Sequence, residues 1–173
     1  MESQINQTQA ILRRLEQLEI PYKLYEHAPV EKATDRYEMG LTFEADCVCK
    51  NLFLTVRNES NFYVLMLQAE KNADLRRLAR AIGSSRLCFG SDARLWEMMG
   101  QKPGMVSPLG VIHDNARQVI VLLDVDLRGK TICVHPSDNT KTLVMEFSQL
   151  ERYLQSFGSK VIFIDPEKAV ENL

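Results

Sequence analysis

Apolar residues recur at helical spacing at Ile11, Leu12, Leu15 and Leu18, and Pro21 ends the run, so the chain opens on an amphipathic helix. Residues 22–27 read as a strand. A short helix is predicted over 34–40, with Thr34 as N-cap and Gly40 just past its end. Two stronger strands follow at 46–56 and 62–67, and the turn Asn58-Glu59-Ser60-Asn61 between them predicts a hairpin. Leu75, Leu78, Ala79 and Ile82 mark a second amphipathic helix stopped by Gly83. Residues 87–89 form a short strand, and 91–99 a further helix that ends at Gly100. Strands return at 119–123, 131–135 and 161–164. Before the last of them, Ser148 and Glu151 have capping-box spacing for a helix whose inner face is Leu150, Tyr153, Leu154 and Phe157. Hairpins and helices mix without strict alternation. The pattern predicts an α/β (α+β) domain on a curved, largely antiparallel sheet.

Composition narrows this picture. A chain of 173 residues, 45% hydrophobic and 25% charged, suits one domain with a real core, spanning 1–173. No apolar run is long enough for a membrane span, and residues 1–10 lack a basic-then-apolar leader, so a cytoplasmic protein is expected. Cys47, Cys49, Cys88 and Cys133 lie in apolar stretches without metal-ligand spacing, which reads as small buried thiols rather than a zinc or redox centre. A net charge of −2 argues against a protein that coats nucleic acid, while leaving room for a local basic patch.

Four features sit awkwardly in a bland core. Lys50 lies inside the apolar run 48–54, in phase with Val48, Leu52 and Leu54. There it must be paired, reach an edge, or be held in a cleft for a phosphate or carbonyl oxygen. His135 ends a strand ahead of Pro136; a lone histidine is more often structural than catalytic, and His27 is a weaker candidate still. Residues 103–110 hold two prolines and two glycines, which makes a shaped loop able to aim backbone groups at a ligand. Arg76, Arg77, Arg80 and Arg86 gather around the second helix, either as a solvated face or as a contact for RNA phosphates. No GxSxG elbow or other activated nucleophile is visible.

Lys50-Asn51-Leu52-Phe53-Leu54, Gly104-Met105-Val106-Ser107-Pro108 and His135-Pro136-Ser137-Asp138-Asn139-Thr140 together resemble the YbaK/ProX family of aminoacyl-tRNA editing deacylases. The resemblance extends to His27-Ala28-Pro29-Val30, Phe89-Gly90-Ser91, Asp114 and Asp124. It implies a barrel-like mixed sheet surrounded by helices, no metal or other cofactor, and hydrolysis of mischarged Ala-tRNA(Pro). By the same resemblance Lys50, Gly104 and His135 would be the catalytic positions. Asn51, Met105, Val106, Ser107, Pro108, Asn139, Thr140 and His27 would bind substrate, and Lys50, Arg80 and Arg86 the tRNA. The implied partners are the acceptor end of tRNA(Pro) and, transiently, prolyl-tRNA synthetase. Lys141 departs from the family pattern, where a small residue often follows Asn-Thr. The alternatives are a deacylase for a Cys-, Ser- or Thr-charged tRNA, and a non-catalytic module that binds the acceptor end.

Overall fold

Ten consecutive residues, Cys47–Val56, form strand β2, and both wings of the sheet are built on it. The computed structural model describes residues 2–30 and 40–166. The helix expected over 34–40 falls almost wholly outside them. The other strands are β1 (Lys23–Glu26), β3 (Phe62–Gln68), β4 (Leu87–Phe89), β5 (Val119–Asp124), β6 (Thr131–Val134), β7 (Lys141–Glu146) and β8 (Val161–Ile164). They make one mixed sheet in the order β1-β7-β6-β2-β3-β5-β8, with β4 also paired to β2.

The predicted hairpin joins β2 to β3, from Cys49↔Gln68 to Thr55↔Phe62. Asn58 Oδ1 shapes its turn by accepting the Ser60 hydroxyl at 2.9 Å. Beyond β3 the sheet continues in parallel through β5 and β8. The other edge of β2 is divided. β6 runs parallel to its first two residues, Cys47 and Val48, and β4 runs antiparallel to Leu54, Thr55 and Val56. Residues 49–52 have no strand partner on that edge among the described residues.

Helices cover both faces. Cys49 and Phe53 turn toward a core shared with α1 (Glu2–Gln17), α3 (Asp92–Met99) and α4 (Phe147–Gln155), through Ile11, Leu15, Leu95, Met99 and Leu154. Leu54 and Val56 turn the other way, onto Leu78 and Ala79 of α2 (Leu75–Ala81), with Leu52 packed beside them. Each such aliphatic side chain contributes roughly 1.5–3 kcal/mol by leaving water. Asp74 caps α2 by accepting the amides of Arg76 and Arg77 at 2.9 and 3.1 Å, and the Ser91 hydroxyl caps α3 by accepting the Arg94 amide at 3.3 Å. Gly100 ends α3 at φ 61, where a Cβ would lie 2.9 Å from His113 Nδ1.

Three local expectations change. The capping box at Ser148 does not form, because the N-cap falls two residues earlier, at Glu146. Phe147 donates its amide to Lys130 O at 2.9 Å and is 1% exposed, which carries β7 directly into the helix. The end of the 103–110 loop, Pro108–Ile112, is a 3₁₀ helix, with Pro108 in its first turn and the Ser107 hydroxyl accepting the Leu109 amide. Among the thiols Cys49 and Cys133 are buried, but Cys47 is half-buried and Cys88 is exposed on the short β4. Three of the four residues expected on the inner face of α4, Leu150, Tyr153 and Leu154, are fully buried, whereas Phe157 lies past the helix end and is half-buried against the core.

Tyr153 ties α4 to that 3₁₀ helix, its hydroxyl donating to Leu109 O at 2.8 Å. Tyr153→Phe removes this buried hydrogen bond and should cost about 0.5–1.5 kcal/mol. That loss would appear as a drop in Tm of several degrees by differential scanning calorimetry.

Candidate active site

The gap in β2's edge opens into a cavity of about 240 Å³, a little below the usual range for small-ligand sites, roughly 300–1,000 Å³. Four segments wall it. β2 contributes Val48, Cys49, Lys50 and Asn51, and the turn after α3 contributes Gly104 and Val106. The end of β6 contributes Cys133, Val134 and His135. The fourth wall sets His27, Val30 and Phe43 against Asn139, Lys141 and Thr142.

Alternation along β2 puts Lys50 in phase with Leu52 and Leu54 and sends Asn51 to the opposite face. Lys50 is half-buried and has no ion-pair partner among the described residues. The Asn51 Oδ1 and His135 Nδ1 atoms are both buried, and neither has a hydrogen-bond partner among the described residues. Buried polar atoms without partners are uncommon in folded proteins, and here both belong to residues that line one cavity.

His135 follows the last residue of β6. Burial pushes its pKa down to about 4, against a raising influence from Asp138 and with a further lowering one from His27. The ring is therefore neutral at physiological pH. Burial alone would raise the Asp138 carboxyl. The Thr140 hydroxyl and amide at 2.6 and 2.9 Å, and the Lys141 ammonium at 2.9 Å, overcome that and hold it below its ordinary range. Thr140 thus supports the wall without lining it. His27 is placed by its amide, which donates to Thr140 O at 2.9 Å, and by its ring. Nδ1 faces Ala28 O at 2.8 Å and must donate there, so Nε2 accepts from the Thr142 hydroxyl at 2.9 Å.

Gly104 adopts φ 78 in a turn closed by Met105 N to Lys102 O at 3.0 Å. Of the five residues expected there to touch a ligand, Gly104 and Val106 line the cavity and Met105, Ser107 and Pro108 do not. Ser107 is fully buried, its backbone amide and carbonyl both taken by the Gln101 side chain at 3.1 and 3.0 Å. Gln101, itself fully buried, carries no signal in the sequence, because a lone glutamine after a helix-ending glycine looks like an ordinary loop residue. Arg80 and Arg86 are exposed and outside the cavity. Arg86 precedes the residue paired with Val56, which lies six residues along β2 from Lys50, about 20 Å at ~3.3 Å per residue. The neighbouring Cys49 thiol lowers Cys47, while that same interaction and burial raise Cys49 well above the usual range. The cavity-facing thiol therefore stays protonated and acts as apolar wall. The geometry offers a cation, a neutral imidazole, an unpaired amide oxygen and a rigid backbone turn around a small apolar space.

Residues 27–153 match the profile of the aminoacyl-tRNA editing domain. The chain is 34% identical over 152 residues to the prolyl-tRNA editing protein ProX of Acetoanaerobium sticklandii, covering 87% of this chain and 92% of that protein. It is 32% identical over 111 residues to the prolyl-tRNA synthetase associated domain-containing protein 1 of Danio rerio, covering 62% and 60% of the two. In fold it superposes on a provisionally assigned trans-editing enzyme for prolyl tRNA synthetase with a TM-score of 0.65, at 18% identity over 95% of this chain and 98% of that one.

The depressed His135 pKa has a consequence for stability. In the unfolded chain the imidazole binds a proton near 6.5, whereas in the fold it stays neutral down to about 4. Between those values the unfolded state holds more protons, so stability falls as pH drops through that window. Urea unfolding at about pH 7.5 and about pH 5 should differ by on the order of 2 kcal/mol, and His135→Gln should remove most of the difference. The stability that Asp138 contributes is lost only at lower pH, as pH falls through its depressed pKa.

Proposed function

The chain belongs to the aminoacyl-tRNA editing domain family, and on that premise we propose that it is a trans-acting deacylase that hydrolyses the ester of mischarged Ala-tRNA(Pro), releasing alanine and free tRNA. The observation that carries this reading is the convergence of Lys50, Asn51, Gly104, Val106, His135 and Asn139 on one small cavity from distant parts of the chain. Val48, Val106, Val134 and Cys49 leave room in it for a small apolar side chain. Such a site serves a discrimination that a proline pocket cannot make alone. Rejecting a substrate smaller by a methylene or two is worth about 1–3 kcal/mol, so a second, size-excluding hydrolytic site is needed.

Lys50 holds the phosphate of the terminal adenosine or orients the ester, its ammonium facing no described carboxylate partner. The backbone from Gly104 to Val106 takes up the aminoacyl group. His135, neutral, offers a hydrogen bond that places the substrate, and Asn51 Oδ1 offers a second acceptor. A hydroxyl of the terminal ribose helps to activate water, which removes the need for a protein nucleophile. Outside the cavity, the exposed Arg80 of α2 and the exposed Arg86 just before β4 are suited to phosphates further along the acceptor stem. No helix among the described residues is long and apolar enough to cross a membrane. The cytoplasm, with a transient contact to prolyl-tRNA synthetase, is the setting this role requires.

Hydrolysis of Ala-tRNA(Pro) and Pro-tRNA(Pro) should be compared for wild type and Lys50→Ala. Wild type should release alanine and spare proline, and the substitution should lower kcat/KM by roughly 10²-fold or more. Cleavage by Lys50→Ala at near-normal rates would remove the lysine from the site. Preference for a Cys-, Ser- or Thr-charged tRNA would move the specificity, and binding without any cleavage would point to a non-catalytic module.

A further inference from the structure

We propose that Gln101 is a positioning residue that fixes the width of the cavity, and through it the size of amino acid the enzyme accepts. The inference rests on the deacylase reading above. Its starting point is a side chain with every polar group engaged. Gln101 Oε1 accepts the Ser107 amide at 3.1 Å, and its Nε2 donates both to Ser107 O at 3.0 Å and to Ser137 Oγ at 2.6 Å. The first two bonds close residues 102–106 into a loop pinned at both ends, and that loop carries Gly104 and Val106 into the cavity. The third reaches the opposite wall. Ser137 stands two residues after His135 in a left-handed conformation, φ 58. Thr8 holds the intervening residue from the far side by donating to Pro136 O at 2.9 Å.

One fully buried amide thus joins the backbone that faces the aminoacyl group to the segment that places His135. The packing around it allows little movement. A Cβ on Gly110 would sit 2.3 Å from Gln101 Nε2, so the glutamine lies flat against the 3₁₀ helix and Gly110 must remain without a side chain. A change in the Gln101–Ser137 link moves one wall of the cavity relative to the other, while Lys50, on β2, keeps its place.

The test uses Gln101→Leu, which keeps the bulk and removes all three bonds, and Ser137→Gly, which removes the hydroxyl alone at a backbone angle that glycine adopts freely. Single-turnover and steady-state hydrolysis would be measured on Ala-, Ser- and Pro-tRNA(Pro), with Tm recorded for each variant. Both variants should lower kcat on Ala-tRNA(Pro) by about 10-fold or more with KM little changed, since a misplacement of about 1 Å carries a penalty of that order. Both should also shrink the preference for alanine over serine and proline by a similar factor. The double variant should be no worse than Gln101→Leu, because the two changes cut one link. If Gln101→Leu does not fold, Ser137→Gly decides alone. Active variants with unaltered selectivity, whether or not Tm falls, would reduce Gln101 to a structural residue and overturn the proposal. A wild-type protein that cleaves no aminoacyl-tRNA would overturn the deacylase reading first, and the proposal with it.

Discussion

A strand edge offers each of its backbone groups once, and on β2 that edge is divided between β6 and β4. Neither neighbour can extend to meet the other: β6 turns away at His135 and β4 is three residues long. The unpaired stretch between them makes the cavity and gives Lys50 and Asn51 a place to emerge from what is otherwise a central strand. A fully paired β2 would have buried a lysine against a ladder with no exit, at a cost few folds could offset. The position that reads as an anomaly in sequence is thus where the sheet stops being continuous.

The gap would collapse if its rims were not held apart. Buried polar networks do this well when every member is satisfied, because a half-satisfied network costs more than an apolar filling. Gln101 and Ser107 rigidify one rim, Asp138 with Thr140 and Lys141 a second, and His27 with Thr142 a third. Against this saturated surround, the two unpartnered atoms of Asn51 and His135 stand out, since the scaffold leaves them for whatever enters. The neutrality of His135 follows from the same enclosure.

Much of this was legible in the sequence and some of it was not, for reasons that differ by element. β2, β3 and the helices over Ile11–Leu15 and Leu78–Ala79 carry strong periodicity, because each buries a continuous stripe. β7 carries little strand signal: it opens on Lys141 and Thr142, directly after a polar turn, and its apolar part is three residues long. At the start of α4 a favourable local cap at Ser148 loses to the tertiary anchoring of Phe147. The motifs around Lys50, Gly104 and His135 do converge, but Ser107 and Pro108 serve the scaffold and Arg80 and Arg86 lie elsewhere. Gln101 could not be found from sequence, since its role exists only once loop and turn are side by side.

The hydrogen bond from Thr8 to the carbonyl of Pro136 joins residues 128 positions apart, and β5 pairs in parallel with β8 near the end of the described chain. Contacts this remote must close long loops before they return any stabilisation, which places such topologies among the slower folders. During synthesis the cavity therefore cannot form piecemeal: its β2 wall is made early, but the segments that complete it arrive more than 80 residues later. A nascent chain would expose the apolar edge of β2 for that interval, and the charged Lys50 within it is suited to discourage pairing with a neighbouring chain.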